Sequence, residues 1–294
     1  MRYSAIRFAA RFLVVLLPAL VAAAQITKPP RRIVSLSPNT TEILYGVGAF
    51  DRVVGVSEFC SYPPAAMKLP RVGGWDNSNI EKIVALHPDL VVFTAAQSPF
   101  IADKLQAFGL RSLAVPSRTL ADVFEAIAAI GAATGKDGQA AELKTHTQAA
   151  LDQVRDRTRM LPRRTVLLCI SRTPGELRDL YVATEGSYLA ELVEIAGGHS
   201  VAAPAKVGYA NINKEAILSL NPDLIIDIVH GSKGIFSEDL QQVWNDLPEL
   251  RAVREKHIYP VDDNFIPHAS QFVVETARLF ARIIHPEAFP EGKK

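Results

Sequence analysis

From Arg31 onward the chain alternates short β-branched runs with segments of helical spacing. "RRIVSLS" reads as a strand, and "SPNTTEILYGVG" as a helix with Ser37 as N-cap, Pro38 at its first position and glycines at its end. "RVVGVS" is a second strand, and a polar loop runs on to Gly74. A helix is then expected over 80–86, a strand in "DLVVFT", a helix over 99–108 and a strand in "RSLAV". This alternation predicts an α/β lobe over 31–118 with a mostly parallel sheet flanked by helices.

The pattern changes over 119–161, where β-branched alternation gives way to Ala, Leu, Glu, Gln and Arg. Two helices are expected, broken near "GAATGKDG". In the second, over 139–160, Ala140, Leu143, Thr147, Ala150, Leu151 and Val154 form one stripe. At about 1.5 Å per residue it is roughly 30 Å long, enough to span a small protein, and Pro162 stops it. A second α/β series follows over 162–286: "RTVLLCIS", "LYVAT", a helix over 187–196, a helix over 214–220, "DLIIDIV", a helix over 238–244, "HIYPVD" and a last helix over 269–284. The expected architecture is therefore two Rossmann-like lobes joined by a long backbone helix, with a ligand cleft between them and limited hinge motion.

An internal repeat crosses this division. "GGWDNSNIEKIVALHPDLVV" in the first lobe is matched by "GYANINKEAILSLNPDLII" in the second, 134 residues on. In both, an aromatic (Trp75, Tyr209) precedes by six residues a glutamate (Glu81, Glu215), then come an apolar helix face and Pro-Asp-Leu opening a β-branched run. As first-turn acids behind the caps Asn79 and Asn213, the glutamates are explained by the helix dipole alone, at about 0.3–1 kcal/mol each. The aromatics, read as lying in glycine-bearing loops, fit either core packing or the two walls of a cleft gripping a large flat ligand.

Composition narrows the setting. Arg2, Arg7 and Arg11 precede the apolar run "FLVVLLPALVAAA", the pattern of a secretory signal peptide over 1–24 with cleavage before Gln25. The run is shorter than the roughly 20 apolar residues of a spanning helix, and no cysteine follows it for lipid attachment, so the expected location is a bacterial periplasm. Without that segment, which carries three arginines and no acid, 29 basic residues face 31 acidic ones, and nothing suggests a nucleic-acid partner. Cys60 and Cys169 fall in different lobes, where two buried free thiols are a simpler state than a disulfide tying the lobes together.

Catalytic signatures fail when tested. "GAATGKD" has three residues between its glycines where a phosphate loop has four, "GVGAFD" lacks the third glycine of a dinucleotide fingerprint, and neither G-x-S-x-G nor H-E-x-x-H occurs. The seven histidines show no ligand spacing; His230 and His268 follow strands of the second lobe, where a loop histidine bonded to backbone competes with a ligand-facing one. Neither an enzyme nor a resident cofactor or metal is expected.

"RIVSLSPNTTEILYGVGAFDRVVGVSEFCSYPPAAMKLPRVGGWDNSNIEKIVALHPDLVV" resembles the first lobe of the periplasmic cobalamin (vitamin B12)-binding proteins, among the helical-backbone substrate-binding proteins of ABC importers. The resemblance covers nearly all of the chain beyond residue 24. It implies a monomer that holds a corrinoid as transported ligand between aromatic and polar loop residues, and that docks on a membrane permease through one glutamate per lobe. By position Trp75 and Tyr209 match cleft aromatics, Phe59 to Tyr62 a further ligand-facing loop, and Glu81 and Glu215 the docking acids. The last cleft loop, "DDNFIPHAS", adds Phe265 and His268 to the expected ligand-binding set, while Asn77, Ser78 and Asn211 are expected to bond a ligand's polar rim. Ferric siderophore and haem carriers share the architecture; with haem, Tyr209 or His268 is the expected iron ligand. A secreted enzyme or a metal-ion carrier are the readings from other classes.

Overall fold

The computed structural model describes residues 28–201, 208–228, 239–262 and 265–289; the expected signal segment and His230 lie outside them. The first lobe runs β1 (Ile33–Ser35), α1 (Pro38–Gly46), β2 (Val53–Val56), α2 (Ile80–Ala85), β3 (Leu90–Thr94), α3 (Ser98–Ala107) and β4 (Ser112–Val115). Its four strands form a wholly parallel sheet in the order β2-β1-β3-β4. Two helices then lead out of it, α4 (Leu120–Thr134) and α5 (Asp137–Thr158). Gly135 ends α4 in the left-handed region at φ 68°, where a side chain is strained. Gly131 lets α5 approach closely, since a Cβ there would stand 2.4 Å from that of Ala140.

The second lobe runs β5 (Arg164–Ser171), β6 (Tyr181–Ala183), α6 (Tyr188–Ile195), β7 (Gly198–Ser200), β8 (Tyr209–Asn211), α7 (Lys214–Leu220), β9 (Leu224–Ile228), α8 (Leu240–Trp244), α9 (Arg251–Arg254), β10 (Ile258–Val261) and α10 (Val273–Ile284). Its sheet follows β10-β9-β5-β6-β8, and one edge of β5 is shared: the start pairs in parallel with β7, the end antiparallel with β6. β8 corrects the sequence reading. Tyr209 stands not in a loop but in a strand, antiparallel to β6 with Ala183 opposite it. Three residues are too few for alternation to show, which also hid β7.

Strand alternation assigns each sheet face a different core. In the first lobe Ile33, Leu90 and Val92 point into one cluster, Val34, Val91 and Phe93 into another. In the second, Val166, Leu168, Leu224 and Ile226 take one face and Leu167, Cys169 and Ile225 the other. The inner faces of both sheets join the same cluster, which continues through Ile127 of α4, Leu151 of α5 and Phe280 of α10. The lobes are thus fused along a continuous apolar core, which favours a stiff junction over a wide hinge.

Candidate functional site

The carboxyl ends of the parallel strands, where α/β sheets present their ligand-binding loops, gather the candidate residues of the first lobe. Trp75 follows Gly73, which sits at φ 111° with the Asn77 carbonyl 2.8 Å from the position of a Cβ, so only glycine fits the turn. The same turn takes up the polar residues expected at a ligand rim. The Gly74 N–H donates to Asn77 Oδ1 (2.8 Å) and Ser78 Oγ donates to the Gly74 carbonyl (3.1 Å), so both side chains shape the loop. The Phe59 loop is stitched alongside by Glu58 N–H to the Gly73 carbonyl (2.9 Å), and by Arg71, whose guanidinium holds the carbonyls of Ser57 (2.8 Å) and Cys60 (2.7 Å). The loops that carry Phe59 and Trp75 therefore lie side by side, and the two rings are 60% and 41% exposed. Large apolar rings left this open in neighbouring loops are a surface for contact.

Two aromatics escaped the sequence reading. Phe100, in the first turn of α3, meets the Trp75 ring at 5.5 Å between centroids, and Tyr181 stacks on Tyr209 at 5.9 Å and 22°. Phe100 read as part of a helix and Tyr181 as part of a strand, so neither carried a separate signal. The second-lobe pair is also more sheltered: Tyr209 packs partly against the shared core, and burial, with Tyr181 beside it, pushes its phenol far above the ordinary range. Asn211 is exposed, opposite Tyr181 across the β6–β8 pair.

Tyr62 belongs to a different grouping. Its ring meets Tyr45 edge-on at 5.3 Å and Phe272 at 4.9 Å, and the second of these crosses from one lobe to the other. Burial, then Tyr45 and Glu42, raises its pKa. Phe265 is half-buried and packs on the shared core, as Tyr209 does. His268 is partly buried, and its ring is bonded to a carboxylate. Its Nδ1 lies 2.6 Å from Glu42 Oε1, and Ser270 Oγ donates to Glu42 Oε2 at 2.5 Å. The Gln271 amide donates to the Glu42 carbonyl at 2.9 Å. Glu42, in α1 and only 3% exposed, is thus clasped by the other lobe, and a buried carboxylate needs such partners. Nothing local could have revealed it, because His268 is 226 residues away.

Glu81 and Glu215 occupy the second position of α2 and α7, and both are exposed. Asn79 and Asn213 cap these helices identically, each side chain accepting from the N–H three residues on at 2.9 Å. Cys60 and Cys169 are both buried and free, and burial raises both thiols, so neither is a reactive nucleophile. Among the described residues no group of His, Cys, Asp and Glu is arranged to hold a metal ion, and no helix is long and apolar enough to cross a membrane.

Two fused α/β lobes with exposed aromatics at the strand ends define a bilobed ligand-binding protein of the kind served by a helical backbone. The chain belongs to the periplasmic binding protein family, which its residues 33–265 match. It is 28% identical over 275 residues to an uncharacterised ABC transporter substrate-binding lipoprotein, YvrC, of Bacillus subtilis, covering 90% of this chain and 83% of that one. It is also 28% identical over 251 residues to the vitamin B12-binding protein of Salmonella typhimurium, covering 84% and 87%. Among solved structures, the periplasmic haem-binding protein RhuT of Roseiflexus sp. RS-1 shares its fold with a TM-score of 0.76 at 23% identity, covering 88% and 99%.

Proposed function

We propose that the protein is the periplasmic substrate-binding component of an ABC importer, exported by its signal peptide, which captures cobalamin or a related corrinoid and delivers it to an inner-membrane permease. The observation that carries this is a two-ring platform on each lobe, Trp75 with Phe100 and Tyr181 with Tyr209. A corrin has broad apolar faces rimmed by neutral amides, which aromatic walls and loop backbone suit without charge. An anionic ferric catecholate calls instead for free cations. Here Arg71 is committed to carbonyls, and the buried Arg172 is bonded to Asp227 at 2.9 Å. The vitamin B12-binding relative supports the same ligand class.

The exposed Glu81 and Glu215, at equivalent places on the two lobes, form a two-point footing for a permease with two subunits. Reversing both to arginine is expected to leave ligand affinity unchanged and abolish uptake into vesicles carrying the cognate permease. Uptake at the wild-type rate would return both glutamates to helix-dipole partners alone.

A second reading, haem, is favoured by one bond. With Glu42 ionised, Nδ1–H of His268 donates to it, which fixes the tautomer that offers Nε2 to a metal. Titration calorimetry with cyanocobalamin, haemin and a ferric hydroxamate separates the readings. Tight cyanocobalamin binding is expected; haemin binding abolished by His268→Ala, with no heat from cyanocobalamin, would replace the corrinoid with haem.

A further inference from the structure

We propose that Gln97 is a positioning residue for the ligand cleft, holding the Trp75 loop in its binding position and acting through Trp75 without touching ligand. The inference rests on the reading of Trp75 as a cleft wall. Gln97 is fully buried, and a buried amide is tolerated only when its donors and acceptor are met. All are met here. Its Oε1 accepts from Thr94 N–H (3.1 Å) and Thr94 Oγ1 (3.3 Å), and its Nε2 donates to the carbonyls of Leu36 (3.1 Å) and Trp75 (2.9 Å). The reverse orientation would set the amide oxygen against two carbonyl oxygens, so the bonding fixes the amide one way round.

The geometry makes Gln97 a strut. Leu36 is itself anchored, its N–H bonded to the Val92 carbonyl of β3 at 2.9 Å, so one end of the strut rests on the sheet. The other end holds the backbone of a loop that begins with two glycines and carries a half-open indole. Three residues beyond Gln97, Phe100 meets that indole, so segment 94–100 grips Trp75 by carbonyl and by ring. A wall fixed before the ligand arrives loses less freedom on binding, which is how an interior residue acquires a share in affinity.

The test uses Gln97→Met, which keeps the length of the side chain and removes every polar bond. The chain has two tryptophans, and Trp244 is fully buried with its Nε1 bonded to Asp227 at 2.9 Å, so acrylamide quenching of fluorescence reads Trp75. Gln97→Met is expected to raise the quenching constant about twofold as the loop loosens. The dissociation constant for cyanocobalamin should rise about tenfold. In a Trp75→Ala background the same substitution should change that constant by less than about twofold, because the strut then has nothing to position. Unchanged quenching, or an equal loss of affinity in both backgrounds, overturns the proposal. Should Gln97→Met fail to fold, Gln97→Asn, one methylene too short to bridge both carbonyls, carries the same expectations. If cyanocobalamin gives no binding even to the wild type, the corrinoid reading fails, while the quenching result still decides the role of Gln97.

Discussion

The two copies of the repeated element agree in their frame and differ in the aromatic that each presents. Asn79 and Asn213 cap identically, and His87 and Asn221, each just before Pro-Asp-Leu, both adopt positive φ (46° and 40°) to close their helices. The aspartates of that tripeptide do the same work. Asp89 accepts from the N–H groups of Arg31 (2.8 Å) and Arg32 (2.9 Å), Asp223 from Thr165 N–H (2.8 Å) and Oγ1 (2.9 Å), so each ties the repeat to the entry of the first strand of its own sheet. The aromatics part company: Trp75 is an open ring on a glycine turn, whereas Tyr209 is a strand residue leaning on the shared core. What repeats is therefore the scaffold, and what varies is the face shown to the cleft.

The largest effect is expected where the lobes meet. Glu42→Ala leaves His268 and Ser270 without their buried partner and should destabilise the protein by about 3 kcal/mol, the low end for a broken buried pair because a lone imidazole can stay neutral. Urea unfolding should still show a single transition, since the core cluster runs through both lobes. Two separate transitions would mean that the clasp, and not the core, couples them.

The aromatic difference predicts a division of effects. Tyr209→Ala should cost about 2 kcal/mol of stability, less than a fully buried ring, together with affinity. Trp75→Ala should leave stability within about 0.5 kcal/mol while weakening cyanocobalamin binding about tenfold. Equal losses of stability in the two variants, measured by thermal unfolding, would erase the distinction.

How much of this the sequence showed follows from the range of each interaction. Caps, the Pro-Asp-Leu repeat, the alternation of strands and helices and the long backbone helix are written within a few residues of each other, and all were legible. The Tyr181–Tyr209 stack, the Trp75–Phe100 contact and the Glu42 clasp join residues 28, 25 and 226 positions apart, and no local pattern records which rings or charges will meet. His268 illustrates the difference: its place after a strand was readable, its carboxylate partner was not.

A smaller effect is expected at Asp223 on acid titration. Burial opposes ionisation of Asp223, but the Thr165 N–H and hydroxyl and the Arg251 guanidinium outweigh it and hold the carboxyl below the ordinary range. A depressed folded-state pKa stabilises the fold above the unfolded value, near 4, and that contribution disappears as pH falls through the folded value. Asp223→Ala should thus cost about 1 kcal/mol at neutral pH, reduced by water screening, and progressively less as the pH falls below about 4. A cost that does not fall with pH, read from urea midpoints, would assign its role to packing.

The smallest prediction tests the symmetry itself. Asn79→Ala and Asn213→Ala each remove one acceptor from a helix N-terminus and leave the N–H of Lys82 or Ala216 without its cap. Both amides are exposed, so water replaces part of the lost bond and each substitution should cost about 0.5 kcal/mol, at the low end for such caps. The two positions are far apart in the chain and in different lobes, so the double variant should show the sum of the single effects. If the copies are equivalent scaffolds, the two single values agree within the error of the urea midpoints. A clearly larger cost at Asn213 would show that α7 lends more stability to its lobe than α2 does. The second copy would then be a structural element first, in keeping with the deeper seat of Tyr209.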